Sequence, residues 1–379
     1  MSQGEFVRQM SLGDNRLRPS MWQRLHLDPA LFTLLLILTG VGLMVLFSAS
    51  GQSWDAVKRQ ATFFLIAYMG MFFVAQISVD FMRRWSPLVY LLGLLLLVGV
   101  LVAGTGAKGA QRWLEIAGFR FQPSEIMKLI MPLATAWYLA DRVLPPRIKV
   151  VGLSMLIAFI PAVLIFRQPD LGTAILVAAS GLFCLFFAGL SWRYIAAAGG
   201  LGAIAAPVMW FFVMHEYQKR RVLTLLDPEA DRLGAGWNII QSMTAIGSGG
   251  IEGKGYLQGS QSALNFLPES HTDFIIAVLA EEFGLIGVVG LLLLYMLILV
   301  RGMVIGMSAQ TTFARLVAGA ITMTFFVYVV VNMGMVSGIL PVVGVPLPLV
   351  SQGGTSLVTL MMGFGILMAI STEQRRLAN

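Results

Sequence analysis

Ten apolar runs, each about the length of a membrane crossing, dominate this sequence: 29–50, 60–79, 87–104, 125–141, 150–166, 172–190, 194–215, 274–300, 312–338 and 356–371. A spanning helix needs roughly 20 predominantly apolar residues. Hydrophobic residues make up 57% of the chain and charged residues 12%; a soluble domain runs at roughly half and a quarter. No water-soluble fold could hide that much apolar surface, and the same surface excludes disorder. The runs are continuous, without the period-two alternation of a membrane barrel. Each must satisfy its own backbone hydrogen bonds in lipid, and so reads as a helix. The fold class expected is an all-α integral membrane protein of about ten transmembrane helices. Cys184 is the one cysteine and lies inside "GLFCLFFAGL", which excludes a disulfide scaffold and reads as packing.

The net charge of +7 would point to nucleic acid in a soluble protein. In a membrane protein it reads as loop charge that sets orientation and meets anionic lipid, with no nucleic acid implied. With the N-terminus inside, the inner segments carry Arg8, Arg16, Arg18, Arg24, Arg83, Arg84, Arg142, Arg147, Lys149, Arg193, Arg301, Arg315, Arg375 and Arg376. The short outer loops carry only Lys58, Arg59, Lys108, Arg112, Arg120 and Arg167. Both termini are therefore expected in the cytoplasm. The organisation expected is a cytoplasmic tail over 1–26, a polytopic membrane domain over 27–371 and a short cytoplasmic tail over 372–379. The outer face holds nearly all the irregular sequence, at 104–124, 167–171, 216–273 and 339–356. The segment 216–273 is too long for a simple connector and reads as a large extracytoplasmic loop with a short amphipathic helix near 236–246.

Charged residues near a bilayer are costly, roughly +2.5 to +3.5 kcal/mol each at a helix centre, so they sort the hypotheses. Glu125 and Lys128 in "FQPSEIMKLI" stand at i, i+3 on one helix face. They are either a self-neutralising pair at the membrane edge or the lining of a polar cavity. Arg167 and Asp170 in "FRQPDLGTA" either seal a tight turn or serve a site, and Arg112, Trp113 and Arg120 either anchor at the headgroups or face a substrate.

The strongest constellation is "NFLPESHTDFIIAVLAEEFG", where Pro268, Glu269, His271, Thr272 and Asp273 precede a long apolar helix. Asp273 at the mouth of that helix is favoured by its dipole, and the bland alternative makes Thr272 or Asp273 a plain N-cap. Glu281 and Glu282, about two turns deeper, read as supporting or structural carboxylates. Lys219, Arg220 and Arg221 form a basic run that could hold a phosphate group or be a solvated stretch. In "VPLPLVSQGGTS" two prolines stiffen the approach to the last span, and the glycine pair allows amides to meet anionic oxygens. The histidines His26, His215 and His271 are dispersed, and no metal-ligand spacing is present. On these residues alone, an enzyme acting on a lipid-linked, phosphate-bearing substrate and a transporter or flippase for that lipid are near even.

The stretches "GAQRWLEIAGFRFQPSEIMKL", "RQPDLGTA", "IIQSMTAIGSGGIEGKGYLQGSQSALNFLPESHTDFIIAVLAEEFGLIG" and "GILPVVGVPLPLVSQGGTSL" resemble the SEDS family, the shape, elongation, division and sporulation proteins. "AIGSGGIEGKG" resembles its elongation branch, which acts in cell elongation and rod-shape maintenance.

The resemblance implies an inverting peptidoglycan glycosyltransferase with a GT-C-like architecture in the inner (cytoplasmic) membrane. It would polymerise lipid II, the undecaprenyl-pyrophosphate-linked disaccharide peptide, on the periplasmic face. The implied partners are a class B penicillin-binding protein transpeptidase and the elongation machinery. Under this resemblance Asp273 is the general base, Lys128 and Glu125 are the family's polar pair in the central cavity with Lys128 orienting or neutralising Asp273, and Arg112 and Asp170 fall on further family positions. Lys219, Arg220 and Arg221 fall near the donor pyrophosphate, with Glu269, His271 and Thr272 in the same substrate-binding region. A divalent cation at the pyrophosphate is left open, since the sequence supplies no ligand set for one. A flippase and a non-catalytic scaffold for a penicillin-binding protein are the alternatives.

Overall fold

The computed structural model describes residues 21–107, 110–116, 119–214, 216–231, 235–260 and 270–377. It is a helical bundle with one small sheet. A short α1 (Met21–Arg24) precedes α2 (Pro29–Ala49), α3 (Trp54–Ala75) and α4 (Val79–Ala103). Strands β1 (Thr105–Ala107), β2 (Ala110–Ile116) and β3 (Phe119–Phe121) follow, then α5 (Pro123–Ala140), α6 (Ile148–Phe166), α7 (Leu171–Phe187) and α8 (Trp192–Val208). A π turn (Met209–Val213) extends α8, and α9 (Glu216–Leu226) and α10 (Ala235–Gly249) lead to α11 (Ile275–Ser308), α12 (Thr312–Val336) and α13 (Thr355–Leu377).

Ten of these helices answer to the ten apolar runs. Seven are long and apolar enough to cross a membrane by themselves. Of the other three, α3 opens with Asp55, Lys58 and Arg59, α5 carries Glu125 and Lys128, and α7 is 17 residues long. Several boundaries differ from the expected ones. Helix α4 starts at Val79 rather than 87, α11 runs on to Ser308, and α13 continues through what was read as a tail from residue 372. A helix that leaves the bilayer carries on while its backbone bonds are satisfied, so apolarity underestimates its length.

The outer segment after α4 is not irregular. It folds into an antiparallel sheet of order β1-β2-β3, with Thr105 opposite Trp113 and Leu114 opposite Phe121. Three short strands are too brief for a pattern to announce them.

Helix α12 is buried on several faces, from Phe313 and Val317 through Phe325 to Asn332 and Val336. It stands at the bundle centre, packed against α5, α7, α11 and α13. Small residues allow close crossings, as in other membrane bundles: a Cβ on Gly181 of α7 would meet the Ala158 Cβ of α6 at 2.7 Å. Helix α8, by contrast, has no buried residue.

Helix α11 kinks at Gly284, whose φ of 62° and ψ of −159° only glycine adopts readily. In a straight helix the N–H groups of Leu285 and Ile286 would bond to the carbonyls of Glu281 and Glu282. Here they donate instead to Gly250 O (3.0 Å) and Ile251 O (3.2 Å). The carbonyls of Glu281 and Glu282 accept from Lys254 N (3.0 Å) and Gly255 N (2.9 Å). Every backbone group released by the kink is taken up by the glycine-rich loop after α10.

Candidate active site

Helix α5 begins with Gln122 as its N-cap and Pro123 at its first position. Its first turns carry Glu125 and Lys128, each 7% exposed. Lys128 Nζ lies 2.7 Å from Glu125 Oε2, yet that oxygen receives no directed hydrogen bond; the pair is a charge contact with poor angles. The Lys128 ammonium donates its directed bond to the Tyr328 hydroxyl of α12. The pair is therefore buried inside the bundle.

Asp170 caps α7, accepting from Thr173 N at 3.3 Å. Gln122 Nε2 donates to its other oxygen at 3.0 Å, and Arg112 Nη1 stands 4.0 Å away. Arg112 also donates to the Pro169 carbonyl. These contacts tie β2, α5 and α7 together. The ion pair once conceivable between Asp170 and its near neighbour Arg167 is replaced by this longer-range set, and Arg167 is exposed.

A cavity of about 200 Å³ opens among these elements, lined by Arg112, Trp113, Gln122, Glu125, Lys128, Asp170, Tyr328, Gly344, Val345 and Thr355, among others. Its charged lining carries both signs.

Asp273 stands at the margin. A Cβ on Gly344 would lie 3.6 Å from Asp273 Oδ2. The residues before α11 are strapped by the segment that precedes α13. Gln352 N donates to His271 O at 2.9 Å, Ser351 Oγ to Thr272 O at 2.5 Å, and Asn332 Nδ2 to Asp273 O at 2.9 Å. The cap position of α11 is Phe274, whose side chain makes no cap hydrogen bond. Asp273 and Thr272 lie one and two residues before that position.

Other expected residues lie elsewhere. Lys219, Arg220 and Arg221 sit on α9, where Lys219 pairs with Glu216 at 3.3 Å, and none of them lines the cavity. Glu269 and His215 lie outside the described residues, as does the side chain of Arg120. Glu281 and Glu282 are buried away from the cavity: Glu281 holds Lys254 and Ser260, and Glu282 accepts from Ser48 Oγ. Among the described residues no group of three or more His, Cys, Asp or Glu side chains has the arrangement of a metal site.

The sequence reading missed Tyr328, Asn332, Gln122 and Gly344. A tyrosine or asparagine inside an apolar run was a signal available for the first two, because an uncompensated polar group there is costly.

The family model for cell cycle proteins of the FtsW, RodA and SpoVE type matches residues 29–376. The chain belongs to this family. Over 365 residues it is 52% identical to the peptidoglycan glycosyltransferase MrdB of Escherichia coli strain K12, covering 96% of this chain and 99% of that protein. It is 37% identical over 359 residues to a probable peptidoglycan glycosyltransferase FtsW of Trichlorobacter lovleyi, covering 91% and 93%. Among solved structures, a chain from a peptidoglycan synthase complex that coordinates polymerization and crosslinking superposes with a TM-score of 0.81 at 31% identity, covering 92% and 98%. The rod shape determining protein RodA of Thermus thermophilus superposes at 0.70 with 28% identity, covering 92% and 97%. Like its FtsW/RodA/SpoVE relatives, the chain is a multi-pass membrane protein, nearly all helical.

Proposed function

We infer that this chain is a peptidoglycan glycosyltransferase that joins lipid II units into glycan strands. The observation that carries the reading is the mixed-charge cavity with Asp273 at its margin, in a chain so similar over its whole length to a protein of that activity. Asp273 acts as general base, taking the proton from an acceptor sugar hydroxyl. The hydroxyl oxygen attacks the anomeric carbon of the donor, the bond from that carbon to the pyrophosphate oxygen breaks with inversion, and undecaprenyl pyrophosphate leaves. Lys128 and Arg112 meet the negative charge that builds on the leaving group. Glu125 balances Lys128, and Asp170 with Gln122 holds the Arg112 side of the cavity.

The cavity opens on the outer face of the inner membrane with both termini in the cytoplasm, a reading supported by the bias of Arg and Lys toward the alternate loops. Elongation of the rod-shaped cell is its setting, and a class B penicillin-binding protein is the partner that cross-links the product. Lys219, Arg220 and Arg221 serve substrate or partner from outside the cavity.

The test is polymerisation. Purified protein with its partner and lipid II should yield glycan chains, and Asp273→Asn should not. A preparation that moves lipid II across vesicles without joining two units would make the flippase reading the right one. A complex that keeps its polymerising activity with Asp273→Asn would leave only a scaffold.

A further inference from the structure

We infer that one face of α12 is the template that sets the reactive geometry, with Tyr328 as a positioning residue for Lys128 and Asn332 as one for Asp273. The inference rests on the roles proposed above for Lys128 and Asp273.

Tyr328 and Asn332 are four residues apart on α12, so they share a face one turn apart. Both are buried, at 1% and 0% exposure. Polar side chains in the middle of a membrane bundle are costly and tend to be there for the bonds they make.

Lys128 has a flexible stem and an ammonium with three donors, so its position is set by whatever accepts from it. The Glu125 contact is close but poorly directed, whereas the bond to the Tyr328 hydroxyl is directed. The buried phenol hydroxyl thus sets where the charge points within the cavity.

Asn332 does the corresponding work for Asp273 through the backbone. Its amide nitrogen spends its donors on two carbonyls, Asp273 O at 2.9 Å and Val345 O at 2.8 Å. Val345 follows Gly344, the residue against the Asp273 carboxylate. One amide therefore joins the two segments that bracket the proposed base. Asn332 Oδ1 is buried with no hydrogen-bond partner among the described residues, a cost that ordinary packing would not retain.

The test compares steady-state polymerisation by wild type, Tyr328→Phe, Asn332→Ser, Lys128→Met and Asp273→Asn, with the doubles Lys128→Met/Tyr328→Phe and Asp273→Asn/Asn332→Ser. Tyr328→Phe removes one oxygen and keeps the ring. It should lower kcat on the order of tenfold or more, with KM within about threefold, as expected for a group that positions a residue acting in the transition state. Each double should be no slower than its slower parent, because a positioning residue acts through its target. Losses that multiply in the Lys128→Met/Tyr328→Phe double, or a Tyr328→Phe chain at full rate, overturn the inference while leaving the functional reading intact. An inserted Asn332→Ser chain at full rate overturns the Asp273 half of the inference, and where that variant fails to insert Asn332→Gln is read in its place. A well-folded wild type that joins no lipid II sinks the functional reading and this inference with it.

Discussion

Lys254 and Glu281 are joined twice, by backbone from Lys254 N to Glu281 O at 3.0 Å and by side chain from Lys254 Nζ to Glu281 Oε1 at 2.7 Å. The same carboxylate oxygen accepts from Ser260 N at 2.8 Å and Ser260 Oγ at 2.9 Å. The loop after α10 is held to α11 by this double link. Lys254→Met leaves the Glu281 carboxylate buried without its cation. Removing one partner of a fully buried pair costs about 3–5 kcal/mol. The Lys254 side chain is 31% exposed, so the loss should be on the order of 1–3 kcal/mol. Thermal unfolding in detergent reads it, and an unchanged Tm would show that the backbone link alone suffices.

Gly284→Ala should be harsher than its size suggests. The φ of 62° and ψ of −159° cost a side chain about 1–3 kcal/mol, and the new Cβ would run into the Ile251 carbonyl and the Gly253 amide. Gly290→Ala is the control, since a Cβ there meets nothing within 4 Å. The expected result is faster hydrogen exchange at Lys254 and Gly255 in Gly284→Ala only. Equal exchange in both variants would contradict the loop–kink exchange of bonds.

Asp273→Asn keeps the size of the side chain and removes its basicity. General-base loss typically costs about 10²–10⁴-fold in rate. Asparagine caps a helix about as well as aspartate, so stability should be nearly unchanged. Single-turnover polymerisation at saturating lipid II separates the two effects. A variant of full activity would send the search for the base to Glu125 and Asp170.

Acid should weaken the end of the bundle where α2 begins, through Asp28. Burial opposes ionisation of this cap carboxylate, but the Arg301 guanidinium, the Leu31 N–H and the Ser371 hydroxyl outweigh it and hold its pKa below the ordinary value. Its folded pKa is thus lower than its unfolded value of about 3.9. The stabilisation is present in full above that value and is lost as pH falls through the folded pKa. Asp28→Asn caps about as well as aspartate but should flatten the acid limb of a Tm–pH curve below about pH 4. Parallel acid limbs for the two proteins would remove Asp28 from the account.

Orientation is read by chemistry on intact cells. Glu252 and Ser191 are both exposed and Cys184 is buried. In spheroplasts an impermeant maleimide should label Glu252→Cys, and Ser191→Cys only after permeabilisation. The opposite pattern would put the cavity on the wrong side for glycan assembly.

The approximate places of the apolar helices were legible without any structure, because lipid admits only self-satisfied helices and apolar length is a local property. The acid at the mouth of α11 and the Glu125–Lys128 pair were legible too, since charges near lipid announce themselves. Three things were decided only in three dimensions. Asp170 could have paired within its own turn, yet it faces Arg112 and Gln122 across the fold. Lys219, Arg220 and Arg221 looked like a phosphate site, but α9 carries them away from the cavity lining. Tyr328 and Asn332 looked like part of an apolar run until helix packing set one beside Lys128 and the other beside Asp273. A sequence fixes which groups must find partners, because burial makes loneliness costly. Which partner each finds depends on crossings between helices far apart in the chain, and local pattern does not encode those.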